Sequence, residues 1–115
     1  MITITLNMKP LLTNAAWRGR RFSTAAKKDF ERRLQWSLPQ VVVVGEPYYR
    51  VAYDFYLKYF ATTDYDGCIK VLQDCLEKRG IISNDSKIID ARVRKFPAKK
   101  DRIVIRIEGC DLEAS

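Results

Sequence analysis

Tyr49-Arg50-Val51-Ala52-Tyr53-Asp54-Phe55-Tyr56-Leu57-Lys58-Tyr59-Phe60 decides how this 115-residue chain is read. Val51, Tyr53, Phe55, Leu57 and Tyr59 recur every second residue, with Arg50, Asp54 and Lys58 between them. A period of two is that of a β-strand with one buried face. The other face also carries Ala52, Tyr56 and Phe60. It is therefore not a plain solvated surface, and a helix or a second subunit can cover part of it.

Toward the C-terminus the period changes. Thr62-Thr63-Asp64-Tyr65-Asp66-Gly67 leads into a helix whose apolar stripe is Ile69, Leu72, Cys75 and Leu76. Gly80 ends it, after Lys78 and Arg79 in the last turn. Ile81 to Lys87 reads as a polar connector. Ile88 to Phe96 and Ile103 to Glu108 read as strands, joined by a turn containing Pro97, Lys99, Lys100 and Asp101, hence a hairpin.

Toward the N-terminus, Ile2, Ile4 and Leu6 alternate with Thr3, Thr5 and Asn7, as in a half-buried strand. Met8 to Phe22, with Pro10 and Gly19, reads as a loop. Ser23 or Thr24 caps a helix running to about Leu38, where Pro39 stops it. Ala26, Phe30, Leu34 and Leu38 form its apolar side, and Lys27, Lys28, Arg32 and Arg33 the opposite one. Val41 to Val44 is a short β-branched run. The order β-α-β-α-β-β predicts one α+β domain over residues 1–115, with a mixed or antiparallel sheet and helices packed on it.

Composition narrows the function. The net charge of +7 is unevenly placed. Residues 1–33 hold eight basic and two acidic side chains, and residues 91–106 hold seven and one. The segment between them has six basic against eight acidic. Two basic blocks around an acidic middle suit a polyanion, although solubility alone also explains a basic protein. The chain has no histidine. Ser-His-Asp and Cys-His catalysis and every His-containing zinc site are thereby excluded. Any enzyme chemistry falls to carboxylates, Lys, Cys, Tyr or a carboxylate-held metal. Cys68, Cys75 and Cys110 form no CxxC pair and fit small core residues in a reducing cytoplasm. No apolar run approaches the roughly 20 residues of a membrane span.

The acidic middle holds the candidate chemistry. Asp64 and Asp66 flank one residue at a helix start. Two carboxylates this close repel, and a divalent cation relieves the repulsion. Asp is equally at home as an N-cap, and spacing alone does not choose between the two. Lys70, four residues after Asp66, is placed to reach back to those carboxylates or to form an ordinary helical ion pair. Asp85 is either a third ligand or a turn residue. A helix over 67–79 is roughly 20 Å long, and six extended residues span at most about 20 Å, so the connector is just long enough to return Asp85 to the Asp64 end.

The run Asp64-Tyr65-Asp66-Gly67-Cys68-Ile69-Lys70 resembles the D-x-D-N-x-x-K signature of the RusA-type Holliday-junction resolvases. Ile82-Ser83-Asn84-Asp85-Ser86-Lys87-Ile88-Ile89-Asp90 is similar to that family's second acidic segment, and the basic strand Ala91-Arg92-Val93-Arg94-Lys95-Phe96-Pro97 follows it. The resemblance is clear over about residues 55–108. Gly67 stands where the family has Asn, and Asn84 where it has the first Asp of a pair. Phe60-Ala61-Thr62-Thr63 replaces an Arg-rich run.

The resemblance implies a Mg²⁺-dependent endonuclease, with Mn²⁺ as a substitute, that hydrolyses phosphodiesters by in-line attack of an activated water. Asp64, Asp66 and Asp85 are the implied metal ligands, and Lys70 the catalytic cation. It further implies a homodimer making paired cuts in a four-way DNA junction during recombination and repair. Arg18, Arg20, Arg21, Lys27, Lys28, Arg92, Arg94 and Lys95 are the candidate DNA contacts. Two other readings stay open: a basic protein that binds nucleic acid without cutting it, using Tyr48, Tyr49, Tyr53, Tyr56 and Tyr59 as stacking surfaces, and a metal-dependent nuclease acting on other branched DNA.

Overall fold

A computed structural model describes residues 2–10, 17–18, 22–23, 25–39, 47–62 and 66–112, with backbone alone at 17–18, 22–23, 26–27 and 66–67. The elements are β1 (Ile2–Leu6), β2 (Trp17–Arg18), β3 (Phe22–Ser23), α1 (Ala25–Ser37), β4 (Tyr48–Leu57), α2 (Asp66–Lys78), a 3₁₀ turn (Asp85–Lys87), β5 (Ile88–Pro97) and β6 (Arg102–Cys110). The expected α+β order holds. One small addition is the pairing of β2 with β3, which falls in the stretch read as a loop and takes in Ser23, one of the two residues read as the helix cap. The Val41–Val44 run lies outside the described residues.

β4 earns its central place. The sheet order is β1-β6-β4-β5, with β4 antiparallel to β6 and parallel to β5. β1 pairs antiparallel with the far side of β6. The sheet is therefore mixed. The expected β5–β6 hairpin does not form, because β4 lies between the two strands. The link from Pro97 to Asp101 has to step over one strand, roughly 10 Å at the usual strand spacing. It is fastened to the end of β4 as it crosses: Ala98 N–H donates to the Leu57 carbonyl at 3.0 Å, and the Asp101 carboxylate accepts from Lys58 N–H at 3.0 Å. The same fastening ends β4 at Leu57, three residues before Phe60. Tyr59 is consequently exposed instead of joining the buried row.

One face of the sheet carries the core. Val51, Tyr53, Phe55 and Leu57 of β4 lie beside Ile103, Ile105 and Ile107 of β6 and Ile4 and Leu6 of β1. Phe30, Leu34 and Leu38 close it from the α1 side, and Cys68, Val71, Leu72, Cys75 and Leu76 from α2. Lys28, Arg32 and Arg33 stay exposed, as the helical period predicts. Cys68 and Cys75 are buried thiols, and burial raises the Cys75 pKa above its ordinary value.

Gly80 takes φ 80°, a left-handed conformation that glycine adopts without strain. Gly80 N–H reaches the Glu77 carbonyl and Ile81 N–H reaches that of Leu76, which is a Schellman end. The connector beyond it departs from its polar reading, because Ile81 and Ile82 are fully buried. They cover the end of the core where α2 stops.

The Tyr53 hydroxyl is sealed in this core, and among the described residues it makes no hydrogen bond of good geometry. Burial pushes its pKa up to about 12, with a smaller opposing effect from Gln73 and a further rise from the nearby Asp85 charge. In the unfolded chain the phenol ionises near pH 10, and in the fold only near 12. Its contribution to stability is therefore complete below pH 10 and is lost as pH rises toward 12. We expect urea midpoints measured between pH 9 and 12 to fall less steeply for Tyr53→Phe than for the native chain.

Candidate functional site

The polar groups of α2 follow from its helical period. Asp66, its first residue, Lys70, Asp74 and Glu77 are spaced by four, four and three, so they share one side of the helix. The opposite side is the buried stripe already described. Lys70 is exposed, one turn beyond Asp66 and one turn before Asp74. Asp64 lies outside the described residues, and of Asp66 the backbone alone is described.

Asp85 comes to the other end of this stripe. One carboxylate oxygen each from Asp74, Glu77 and Asp85 lie within 4.8 Å of one another. Asp74 is about 12 Å from Asp66 along the helix axis, at about 1.5 Å per residue. The connector thus carries Asp85 back beside the Asp74–Glu77 turn. Sequence reasoning passed over Asp74 and Glu77, although their i,i+3 spacing on the Lys70 side was legible.

Two interactions hold Asp85 there. Asn84 caps the 3₁₀ turn, its side-chain oxygen accepting from Ser86 N–H at 2.9 Å. Asn and Asp are nearly equivalent caps, so the turn keeps its anchor with Asn in place of an Asp. On the upstream side, Ser83 N–H donates to the Tyr49 hydroxyl at 3.2 Å, and the two hydroxyls are also 3.2 Å apart. This ties the acidic turn to the first residues of β4. Tyr49, read from sequence as packing or stacking, thereby also positions Asp85.

Three carboxylates gathered this closely are a fitting donor set for a hard divalent cation. Such ions take oxygen ligands at about 2.0 to 2.6 Å, so two oxygens on one ion stand up to about 4 to 5 Å apart.

The predicted DNA contacts divide. Arg20 and Arg21 lie outside the described residues, and the side chains of Arg18 and Lys27 are not described. Lys28 is exposed on α1. Arg92 and Arg94 fall on the sheet face away from the helices. Lys95 falls on the opposite side of β5, its ammonium 5.0 Å from the Phe60 ring centre. Arg94 makes a two-pronged pair with Asp54, at 2.9 and 3.0 Å, and Arg106 also binds that carboxylate. Asp54 is the one charged residue buried among the described residues. Its hydrogen bonds raise the Arg94 pKa above the ordinary arginine value. The alternation along the strand puts Asp54 on its second face, with Arg50 and Lys58, and names no partner for it. The missing information was strand order, which sets Arg94 directly opposite it and Arg106 on the other neighbouring strand.

Together these features define a small basic α+β domain with an acidic stripe on one helix. The model of the family described as Endodeoxyribonuclease RusA matches residues 9–108, most of the chain, and the protein belongs to that family of endodeoxyribonucleases. No curated protein matches the chain.

Proposed function

We propose that this protein is a divalent-metal-dependent endonuclease that resolves four-way DNA junctions by paired phosphodiester hydrolysis. The observation that carries the reading is the family match over residues 9–108 together with Asp64, Asp66, Lys70 and Asp85 in the family's order and spacing. Lys70, one helical turn beyond Asp66 on α2, supports it, whereas Asp85 lies further along that helix, beside Asp74 and Glu77.

Asp64, Asp66 and Asp85 would hold Mg²⁺, or Mn²⁺ in its place. The ion, when bound, lowers the pKa of the attacking water and stabilises charge on the phosphoryl oxygens. Lys70, exposed between Asp66 and Asp74, is placed to neutralise charge on the scissile phosphate. Asp74 and Glu77 add negative charge beside Asp85 and strengthen its hold on a cation. Arg18, Arg20, Arg21, Lys27 and Lys28 supply backbone contacts from the N-terminal basic block, which position DNA without reading its sequence. A homodimer would place two such sites about a two-fold axis and so cut opposing strands. The setting is recombination and repair in the cytoplasm. No helix among the described residues is long and apolar enough to cross a membrane.

Substrate choice tests the reading. Cleavage of a mobile four-way junction, a flap and a linear duplex of equal length is compared in Mg²⁺. The junction is expected to be cut at least tenfold faster than either rival. Equal or faster cutting of the flap would transfer the activity to other branched DNA.

A further inference from the structure

The face of the sheet opposite the helices is built in rows across β5, β4 and β6. The first row, Asp90, Arg50 and Glu108, carries one positive and two negative groups. The next, Arg92, Ala52 and Arg106, carries two positive groups and no negative one. In the third, Arg94 faces Asp54 and Val104; in the fourth, Phe96 and Tyr56 lie beside Arg102. The first row is net negative, and the three rows beyond it are together net positive, so the positive charge lies toward the end of β4. That is the end from which the chain leaves for Asp64 and Asp66. A groove of about 340 Å³ opens over the first two rows, with Asp90 and Glu108 in its lining, and reaches Arg94 of the third.

The arginines here are held by their neighbours. Asp54, with its side chain 3% exposed, engages two donors of Arg94 and one of Arg106. The side chains of those arginines remain 44% and 37% exposed. A guanidinium has five N–H donors, so each keeps several that Asp54 does not engage. A planar stack steadies the next row: Arg102 lies 4.1 Å from the Tyr56 ring centre, Tyr56 stacks on Phe96 at 5.1 Å, and Arg94 lies 5.3 Å from the Phe96 ring centre. A fork of fixed orientation matches phosphate oxygens and loses little freedom on binding them.

We infer that this open face binds the phosphodiester backbone of a DNA arm, with Asp54 as the positioning residue that presents Arg94 and Arg106 to it. The inference rests on the nuclease reading for its partner, and it extends the DNA path from the acidic stripe around the end of β4 onto the opposite side of the sheet. Asp54 touches no DNA in this arrangement. Its carboxylate offsets part of the arginine charge but fixes where the forks point.

The test is binding of a four-way junction without divalent metal, at salt concentrations from 50 to 200 mM. Arg92→Gln removes one exposed cation. It is expected to weaken binding and to lower the slope of log affinity against log salt by about 0.9, the value of one phosphate contact on duplex DNA. Asp54→Asn makes the face more positive, so simple attraction would leave binding equal or tighter; positioning predicts it several-fold weaker. If circular dichroism shows Asp54→Asn unfolded, Arg106→Lys carries the test, because it keeps the charge and loses the fork. It too is expected to bind several-fold more weakly.

An unchanged slope in Arg92→Gln, or native affinity in Arg106→Lys, would overturn the inference. So would a change in sedimentation from dimer to monomer with the slope unaltered, since a second copy of the chain would then occupy the face. Junction cleavage is measured separately on the same proteins with Mg²⁺. Normal cutting with unchanged slopes removes this face and leaves the nuclease reading standing. Altered slopes in a chain that never cuts do the reverse.

Discussion

Asp66→Asn is expected to abolish Mg²⁺-dependent junction cleavage while leaving the fold and metal-free junction binding intact. Asp66 is the first residue of α2, where Asp and Asn both suit the start of a helix. The substitution keeps shape and removes one charge. Its cost should therefore appear in chemistry and not in stability. Losing a carboxylate that holds the cation removes several kcal/mol of transition-state stabilisation, and about 4 kcal/mol corresponds to roughly 10³-fold in rate. Single-turnover cleavage rates measure it, with melting temperature and junction affinity as controls. Lys70→Met is expected to lose about 10²-fold by the same assay, because an exposed lysine contributes little to the fold. Native cleavage by Asp66→Asn would mean that the acidic stripe does not hold the metal.

Phe55→Ala is expected to bring the protein close to its folding limit. Phe55 is fully buried on the central strand, between β6 and β5, and faces the helices. Truncating a buried Phe costs about 3–5 kcal/mol, the lost transfer energy plus that of the cavity left behind. Domains of this size have only about 5–15 kcal/mol in total. At about 4 °C per kcal/mol, the melting temperature should fall by roughly 12–20 °C. Trp36→Ala is the comparison. Trp36 is 86% exposed on α1, so its truncation should move stability by no more than about 0.5 kcal/mol. Similar losses in both variants would contradict the assignment of the core to the odd-numbered face of β4.

The elements were legible because their periods were clean. Val51, Tyr53, Phe55 and Leu57 declared a strand, and Leu72, Cys75 and Leu76 a helix, before any contact was known. Strand order was not legible in the same way. Ile88–Phe96 and Ile103–Glu108, separated by a short turn, look like a hairpin by every local rule. What prevents it is a non-local competition: β4 satisfies the hydrogen bonds of both strands, and the Pro97–Asp101 link is anchored to its end. The buried pair of Asp54 with Arg94 and Arg106 was hidden for the same reason, since its members are 40 and 52 residues apart. Within the candidate site, Asp66, Lys70 and Asp85 could be named from motif spacing. The placement of Asp85 beside Asp74 and Glu77 needed the path of the connector, where Ile81 and Ile82 turn inward and Ser83 meets the Tyr49 hydroxyl.

Cleavage of a mobile four-way junction by the purified protein in Mg²⁺, with both strands mapped, tests the central claim most directly. Paired nicks are expected at symmetric positions in opposing strands, absent in EDTA, absent in Asp66→Asn, and at least tenfold slower on linear duplex. Tight junction binding with no cleavage in Mg²⁺ or Mn²⁺ would contradict it and leave a basic protein that holds branched DNA without cutting it.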